Sequence, residues 1–302
     1  MELAPIILFV YNRPWHTRQT LEALSKNDLA DQSTLYIFAD GPKANSTNED
    51  LKKIQDVREL VREKKWCKDV IVIEHSQNRG LVNSIIDGMT EIINRHDRAI
   101  VLEDDLLTGH GFLKFMNDGL SIYEDKQNVW SITGYMFPIE FDTVPKNILL
   151  PYVSTWGWGT WKNRWTSFMM SRKPSYQSLF ESHQVVRYFN LADYNYANIL
   201  KNSFNSSWGI RWYFHVFAHH GVSVFPTKSL LANIGKDGSG TNYRSKIDSI
   251  EPAIFPAIEM KRVDNVDLEC WNKYLDYFTK PDKSQLRNIL KYVFSKKNKI
   301  KV

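Results

Sequence analysis

The chain has 302 residues, of which 43% are hydrophobic and 13% aromatic, enough to bury one sizeable core or two small ones. No apolar run is long enough to cross a bilayer, and the N-terminal residues lack the basic and apolar segments of a signal peptide. The net charge of +5 comes from residues 283–302, which hold seven basic side chains and no acid, so the near-neutral remainder argues against nucleic acid as a partner.

Strands and helices alternate along the first hundred residues. Four apolar runs have the length and β-branched content of buried strands, and amphipathic segments separate them. The predicted strands are 5–11, 34–39, 70–73 and 99–102, and the predicted helices are 14–25, 48–65 and 81–94. This order predicts an α/β fold with a mostly parallel central sheet and helices on both faces.

Polar side chains follow each predicted strand at its carboxyl end. They are Asn12-Arg13, Asp40, Asn78-Arg79 and Glu103-Asp104-Asp105. Ligands bind beyond the carboxyl ends of the strands in such sheets, so we expect these groups to share one rim suited to a nucleotide. Neither glycine-rich phosphate-binding pattern, G-x-G-x-x-G or G-x-x-x-x-G-K-[ST], occurs, which argues against a dinucleotide dehydrogenase and against a P-loop enzyme.

Three consecutive carboxylates, Glu103, Asp104 and Asp105, end the fourth predicted strand. Adjacent carboxylates repel one another, and a hard divalent cation such as Mg²⁺ or Mn²⁺ would relieve that repulsion. On an extended chain Glu103 and Asp105 share one face and Asp104 points to the other, so that one face would meet a metal and the other a ribose hydroxyl. An acidic, solvated turn is the alternative that these residues leave open.

The ordered set of motifs, from Asn12-Arg13 to the acidic triplet, resembles that of the GT-A glycosyltransferases, which are metal-dependent enzymes that use nucleotide-diphosphate sugars. The resemblance covers residues 5–245. More narrowly, the chain resembles the branch related to N-acetylglucosaminyltransferase I, including its small bacterial members, in which the metal motif is also Glu-Asp-Asp. It implies a Rossmann-like GT-A domain, an Mn²⁺ or Mg²⁺ cofactor, a UDP-sugar donor and a glycan acceptor.

The resemblance also implies roles for individual residues. Asp105 looks like the residue that ligates the metal, and Asp104 looks like the one that contacts the ribose. Glu103 would lie near the donor sugar.

The nucleobase end of the pocket is implied in the same way. Asp40 and Arg79 match positions near the nucleobase, and Asn12-Arg13 would lie at the edge of the same pocket. A plain turn residue for Asp40 and a surface residue at a helix start for Arg79 are the alternatives.

A segment rich in tryptophan and glycine, residues 154–165, marks the second half of the chain. Trp161 and Trp165 have helical spacing and are expected in the core. Trp156 and Trp158 precede that helix among glycines and are the better candidates for contacting a sugar, because aromatic faces offer broad apolar contact. Further predicted elements are a helix over 109–124, a strand over 129–133 and a helix from about 208 to 220.

The catalytic base is not evident from the sequence. In eukaryotic relatives, a segment similar to the start of the predicted helix at about residue 208 carries a catalytic Asp. In this chain Gly209 and Ile210 stand in that neighbourhood. Inverting transfer needs a group that accepts the proton of the attacking hydroxyl. Asp193, Asp237 and His215 remain as candidates, and a packed, hydrogen-bonded histidine is the alternative for the third.

A glycine-rich loop around residues 235–240 is predicted to close over a bound donor. Related sequences tend to end this loop with a histidine near the metal or diphosphate, whereas this chain has Asn242. Lys236 or Arg244 is expected to face the diphosphate instead, and a solvated loop with ordinary surface charges is the alternative.

The C-terminal residues predict a basic amphipathic helix. Its apolar positions recur at helical spacing between Leu286 and Phe294, and lysine and arginine flank them. Such a helix is expected to lie on an anionic membrane surface, or else to pack on the domain.

Cys67 and Cys270 form no close-spaced pair and are expected as free thiols in a reducing cytosol. We therefore expect a cytoplasmic protein, which the basic helix would make peripheral to the membrane.

The sequence therefore predicts one GT-A domain with a nucleotide-sugar-binding half over 1–106, an acceptor-binding half over 107–279 and a basic tail over 280–302. The predicted reaction is inverting transfer of a sugar from a UDP-sugar to a glycan, with a lipid-linked acceptor.

Two other classes of protein stay open. A sugar-phosphate nucleotidyltransferase is disfavoured because no glycine-rich loop follows the first strand, whereas a non-catalytic nucleotide-sugar or glycan-binding protein is favoured by the missing base.

Overall fold

The computed structural model describes residues 2–141, 147–171, 176–238 and 253–279. The predicted basic helix and the residues Asn242 and Arg244 lie outside these ranges. The first half alternates strands with helices, as the sequence predicts. Its elements are β1 (Ile6–Val10), α1 (Pro14–Leu24), β2 (Thr34–Ala39), α2 (Asn48–Leu60), β3 (Asp69–Glu74), α3 (Leu81–His96), β4 (Arg98–Glu103) and β5 (Leu106–Thr108).

The second half contains several short elements that the sequence pattern did not predict. They are α4 (Phe112–Ile122), β6 (Val129–Thr133), β7 (Asn147–Leu150), β8 (Trp158–Trp161), α5 (Lys162–Met170), α6 (His183–Phe189), α7 (Tyr196–Ser203), α8 (Trp208–Ala218), β9 (Val222–Pro226), β10 (Leu231–Asn233) and α9 (Leu268–Thr279). Among the described helices, none is both long and apolar enough to cross a membrane.

The central sheet is mostly parallel. Its strand order is β3-β2-β1-β4-β8-β6-β9-β7, and the first four strands run in the same direction. β8 is antiparallel to both of its neighbours, so β6 and β9 again run with β4, and β7 ends the sheet antiparallel to β9. Because β4 pairs with β8, the two predicted halves of the chain share one sheet.

Helices cover both faces of this sheet, as predicted. Alternate side chains of β1 point to opposite faces. Ile6 and Leu8 pack in a cluster with residues of α1, α2 and α4, whereas Ile7 and Phe9 pack in a cluster with residues of α3, α5 and α8. This two-sided burial explains why the first four strands have almost continuous apolar sequences.

A second, two-stranded sheet joins β5 to β10 in antiparallel pairing, with Leu106 opposite Asn233. β5 begins directly after the acidic triplet, and β10 ends just before the glycine-rich loop. The pairing therefore places residues 234–238 beside the end of β4.

Candidate functional site

The guanidinium of Arg13 holds two carboxylates together at the end of β1 and β4. Its Nη2 donates to Asp104 Oδ1 and, over 2.8 Å, to Asp105 Oδ2, and its Nε donates to Asp104 Oδ2 over 3.3 Å. The three side chains are largely buried, with 17%, 7% and 14% of their surfaces exposed. The sequence prediction that the strand ends form one rim is confirmed here, because Phe9 lies opposite Glu103 and Val10 opposite Ala39.

The chain turns directly after Glu103, and this turn decides where the carboxylates point. Residues 104 and 105 form a turn rather than extended strand, so the predicted alternation of side chains stops at Glu103. The expectation that Asp104 and Asp105 face opposite ways is wrong, since one guanidinium reaches both. Two hydrogen bonds fix the turn: Thr20 Oγ1 donates to the Asp104 carbonyl and the Ile234 amide donates to the Asp105 carbonyl, each over 2.9 Å.

The acidic triplet contains more negative charge than its surroundings balance. Burial, reinforced by the charges of Asp105 and Asp104, raises the pKa of Glu103 well above its usual range. Burial also raises the pKa of Asp104, although the charge of Arg13 opposes the shift. A site in which carboxylates outnumber the one counter-charge fits an additional cation, and a hard divalent ion prefers oxygen ligands.

No preformed metal cage exists in the part of the chain that the structure describes. There, no three His, Cys, Asp or Glu side chains converge as a metal-binding group. Magnesium-type sites commonly use one or two carboxylates and leave the other positions to substrate phosphates and water. The residues present therefore fit a cation held jointly by Asp105 and a phosphate-bearing ligand.

The glycine-rich loop packs directly against the acidic triplet. A Cβ atom built on Gly235 would lie 2.1 Å from Asp105 Oδ2, so any other residue here would displace the Asp105 side chain. Two residues later, Asp237 Oδ2 lies 3.2 Å from Nε2 of the buried His16. Burial, with the nearby charge of Arg13, lowers the pKa of His16, which keeps the imidazole neutral near pH 7.

Lys236 and Trp156 form the next part of the same site. Lys236 Nζ lies 5.3 Å from the centre of the half-buried Trp156 ring, which packs edge-on against Tyr135 at 4.6 Å. The structure thus brings Lys236 and Trp156 together with the loop that contacts Asp105. An ammonium group over an indole ring, beside buried carboxylates, can contact an anionic ligand that also presents an apolar face.

Trp158 has a different place from the one predicted. It belongs to β8, opposite Val101 of β4, and is 0% exposed. Its ring stacks on Trp208 with centroids 5.2 Å apart. The predicted sugar contact by Trp158 is wrong for this reason, and its role is in the core, as predicted for Trp161 and Trp165.

Asp40 organises the neighbouring loop. Its Oδ1 accepts bonds from the amides of Gly41 and Arg79, at 2.8 and 2.9 Å, and its Oδ2 accepts from Asn78 Nδ2 and the Gly80 amide, at 3.0 and 3.1 Å. The side chain therefore holds the turn that begins α3. A contact of Asp40 with a nucleobase stays a prediction.

The guanidinium of Arg79, two residues before α3, lies at the protein surface. It pairs with Asp87 at 2.7 Å, and both side chains are almost half exposed. Asn12, at the other predicted edge of the pocket, is partly buried directly before Arg13. The structure shows no contact between Arg79 and the group formed by Arg13, Asp104 and Asp105. The contact of Arg79 with a nucleobase stays a prediction.

Of the three base candidates, the structure brings only Asp237 to the acidic triplet. Asp193 is exposed in the tight turn between α6 and α7. His215 is 1% exposed, and Ser167 Oγ and Ser171 Oγ lie 3.3 and 3.1 Å from its two ring nitrogens. The predicted role of His215 as a base is wrong, because the ring is enclosed in the core.

The topology places His215 at the opposite end of the sheet. It packs edge-on against Trp130 at the start of β6, which runs parallel to β4. Burial, together with the charge of His219, lowers the pKa of His215 to about 4. The imidazole is thus a neutral core residue.

Two residues of the site were missed in the sequence. His16 lies one helical turn after Arg13, so the i, i+3 spacing on α1 was the available signal that it faces the same rim. Gly235 was identified only as part of a flexible loop, and its contact with Asp105 arises from the pairing of β5 with β10. Trp15, next to His16 at the start of α1, is 59% exposed.

No protein-family model and no curated protein sequence matches this chain. Two crystal structures of S. aureus TarS are similar, each at 13% identity with a TM-score of 0.38 over 76% of this chain. The matches span 36% of one chain and 59% of the other, which contains residues 1–349. At this level of similarity the site geometry has to support the functional assignment.

Proposed function

We propose that this protein is a metal-dependent glycosyltransferase of the GT-A type. It transfers a hexosyl or N-acetylhexosaminyl group from a UDP-sugar to a glycan hydroxyl, with inversion, and the acceptor is a lipid-linked surface polysaccharide. Residues 1–106 bind the donor and residues 107–279 shape the acceptor side.

The observation that carries this proposal is the excess of buried carboxylates around a single guanidinium, at the carboxyl ends of parallel strands. Asp104 and Asp105 are bound by Arg13, while Glu103 has no basic group bonded to its side chain among the described hydrogen bonds and ion pairs. Burying unbalanced carboxylates is unfavourable, and a ligand that brings a cation offsets the cost. A nucleotide diphosphate with Mn²⁺ or Mg²⁺ has this chemistry.

The residues around the cluster then take distinct roles. Asp105 holds the cation, Asp104 contacts the ribose, and Glu103 lies beside the donor sugar. A divalent cation supplies positive charge that stabilises the diphosphate leaving group. Lys236 adds a positive charge on the same group, and Trp156 presents an apolar face to the sugar.

Asp237 is our candidate for the general base. It is 45% exposed, so an acceptor hydroxyl can reach it, and it lies in the loop that contacts Asp105 through Gly235. Its carboxylate would accept the proton of the attacking hydroxyl, and His16 would orient the carboxylate. The proton moves from the acceptor oxygen to an Asp237 oxygen as the new glycosidic bond forms, and the bond between the sugar and the diphosphate breaks to release UDP.

The rival function is non-catalytic binding of a nucleotide sugar. The first turn of α8 has no acidic residue, and Gly209 faces the methyl group of Thr155 there. This observation favours the rival, because the base expected by resemblance is absent from that position.

The membrane association belongs to the same proposal. Residues 283–302 carry seven positive charges, and each basic residue near an anionic surface contributes roughly 1 kcal/mol to binding. The full chain should bind vesicles containing phosphatidylglycerol, and a chain ending at Thr279 should not. Equal binding by both chains would reject this part of the proposal.

The deciding experiment measures release of UDP from a panel of UDP-sugars with and without Mn²⁺. The enzyme should hydrolyse one donor slowly in the absence of acceptor, and a chelator should stop the reaction. Mn²⁺-dependent binding of the donor without any turnover, with or without a glycan acceptor, would support the non-catalytic rival instead.

A further inference from the structure

Arg13 occupies the carboxylate that the proposed cation needs, that of Asp105. Its Nη2 bonds to oxygens of both Asp104 and Asp105, and the three groups are largely removed from water. Asp105 Oδ2 therefore accepts a hydrogen bond from a positive group. A divalent cation on this carboxylate would stand close to the guanidinium, and the two positive charges would repel each other across a site of low dielectric.

The guanidinium also has a donor to spare. Its Nη1 is buried and has no hydrogen-bond partner within the described residues. A buried N–H group without an acceptor is unfavourable, so this donor favours a ligand with an oxygen acceptor. A phosphate oxygen is the acceptor that best matches the planar fork of an arginine.

We infer that Arg13 competes with the divalent cation for Asp105, and that a nucleoside diphosphate relieves the competition by taking the guanidinium onto its phosphates. Arg13 is thus an internal counter-ion that keeps the cation weakly bound until the nucleotide arrives. The inference rests on the proposed function, because it assumes that cation and nucleotide bind here.

The consequence is positive coupling between the two ligands. The nucleotide makes the cation bind more tightly, and by linkage the cation makes the nucleotide bind more tightly to the same degree. Without the guanidinium the cation no longer has to displace a positive charge, so its affinity in the absence of nucleotide should rise and the coupling should shrink.

The test is titration of Mn²⁺, with the free ion measured by electron paramagnetic resonance, in the absence and presence of UDP. Arg13→Met should tighten Mn²⁺ binding without UDP by about tenfold, within the range usual for coupled sites. Arg18→Met is the matched control. Arg18 lies on α1, the helix that follows Arg13, and forms a bidentate ion pair with Glu63 at the surface. This control should bind Mn²⁺ as the wild type does.

Arg13→Lys guards against a folding defect in the methionine variant. Lysine keeps the positive charge but lacks the fork that spans Asp104 and Asp105, so it should tighten Mn²⁺ binding by about threefold, between the wild type and Arg13→Met. Each variant is compared with the wild type by circular dichroism before titration. If only the lysine variant folds, its titration decides the matter by the same criterion.

The outcomes separate the inference from the proposed function. If UDP strengthens Mn²⁺ binding to the wild type but the folded Arg13 variants bind Mn²⁺ without UDP no more tightly than the wild type, the competition is rejected and the proposed cation site stands. If no protein, variant or wild type, binds Mn²⁺ with or without UDP, the proposed cation site and the inference fall together.

Discussion

The two ends of the central sheet bury very different groups. At the carboxyl ends of β1 and β4, one guanidinium bonds to two of the three carboxylates of the acidic triplet, and a buried donor of Arg13 has no partner among the described residues. At the other end of β4, His215 packs among aromatic rings and sits within hydrogen-bond distance of two serines. Both regions are largely buried, but the first concentrates carboxylates against a single basic group, whereas the second, around His215, contains no ionised pair among the described residues.

This difference separates a binding site from a stability element. Buried aromatic side chains stabilise the fold through apolar contact, and a neutral histidine among them needs no ligand. Buried excess charge lowers stability unless a ligand compensates it. We therefore expect substitutions at the acidic end to change ligand binding and turnover, and substitutions at the aromatic end to change the free energy of unfolding.

The strongest test of the acidic end is Asp105→Asn. The amide keeps the shape but removes the charge that holds the cation, so Mn²⁺-dependent release of UDP should fall about 1,000-fold. Thermal unfolding should change little, because the substitution relieves repulsion between neighbouring carboxylates. Asp118→Asn, in an exposed pair with Lys114 on α4, is the control and should retain full activity. Retained activity in Asp105→Asn would remove the basis of the cation site.

The corresponding test of the aromatic side of the fold compares two neighbouring tryptophans. Trp158→Leu leaves a cavity beside Trp208 and should lower the free energy of unfolding by about 3 kcal/mol, measured by urea denaturation. Trp156→Leu should cost less than about 1 kcal/mol, because that ring is partly exposed, yet it should weaken UDP-sugar binding. Equal losses of stability would contradict the different placement of the two rings.

The base assignment is tested by Asp237→Asn. The amide cannot accept the proton of the acceptor hydroxyl, so kcat for transfer should fall about 100-fold while the donor's Kd changes less than about threefold. Asp193→Asn, at the exposed turn between α6 and α7, should leave both constants unchanged. A loss of donor affinity without loss of kcat would make Asp237 a loop-positioning residue instead.

The smallest expected effect concerns pH. His215 is neutral in the fold with a pKa near 4, below the value of about 6.5 in an unfolded chain. Its contribution is therefore complete above pH 6.5 and is lost as pH falls towards 4, with a loss of about 2 kcal/mol by pH 5. The stability difference between wild type and His215→Gln should shrink by that amount between pH 7.5 and 5, as followed by urea denaturation.

The sequence predicted the first four strands, the helices between them and the shared rim, because these depend on local periodicity and on turn residues. It also predicted the core positions of Trp161 and Trp165. It failed for Trp158, since nothing in the tryptophan-glycine segment indicates that a short strand enters the sheet between β4 and β6. It did not predict β10 before the glycine-rich loop, because the partner of β10 lies more than a hundred residues away in β5.

The sequence by itself therefore determined which residues stand at the strand ends, and the tertiary structure decided which of them meet. Arg13 and Asp104 are 91 positions apart, and their bond depends on the parallel pairing of β1 with β4 and on the turn after Glu103. Local patterns encode the direction of a side chain along its own element. The charge balance of a site depends on which elements pack together and how much water they exclude, and no local pattern contains that information.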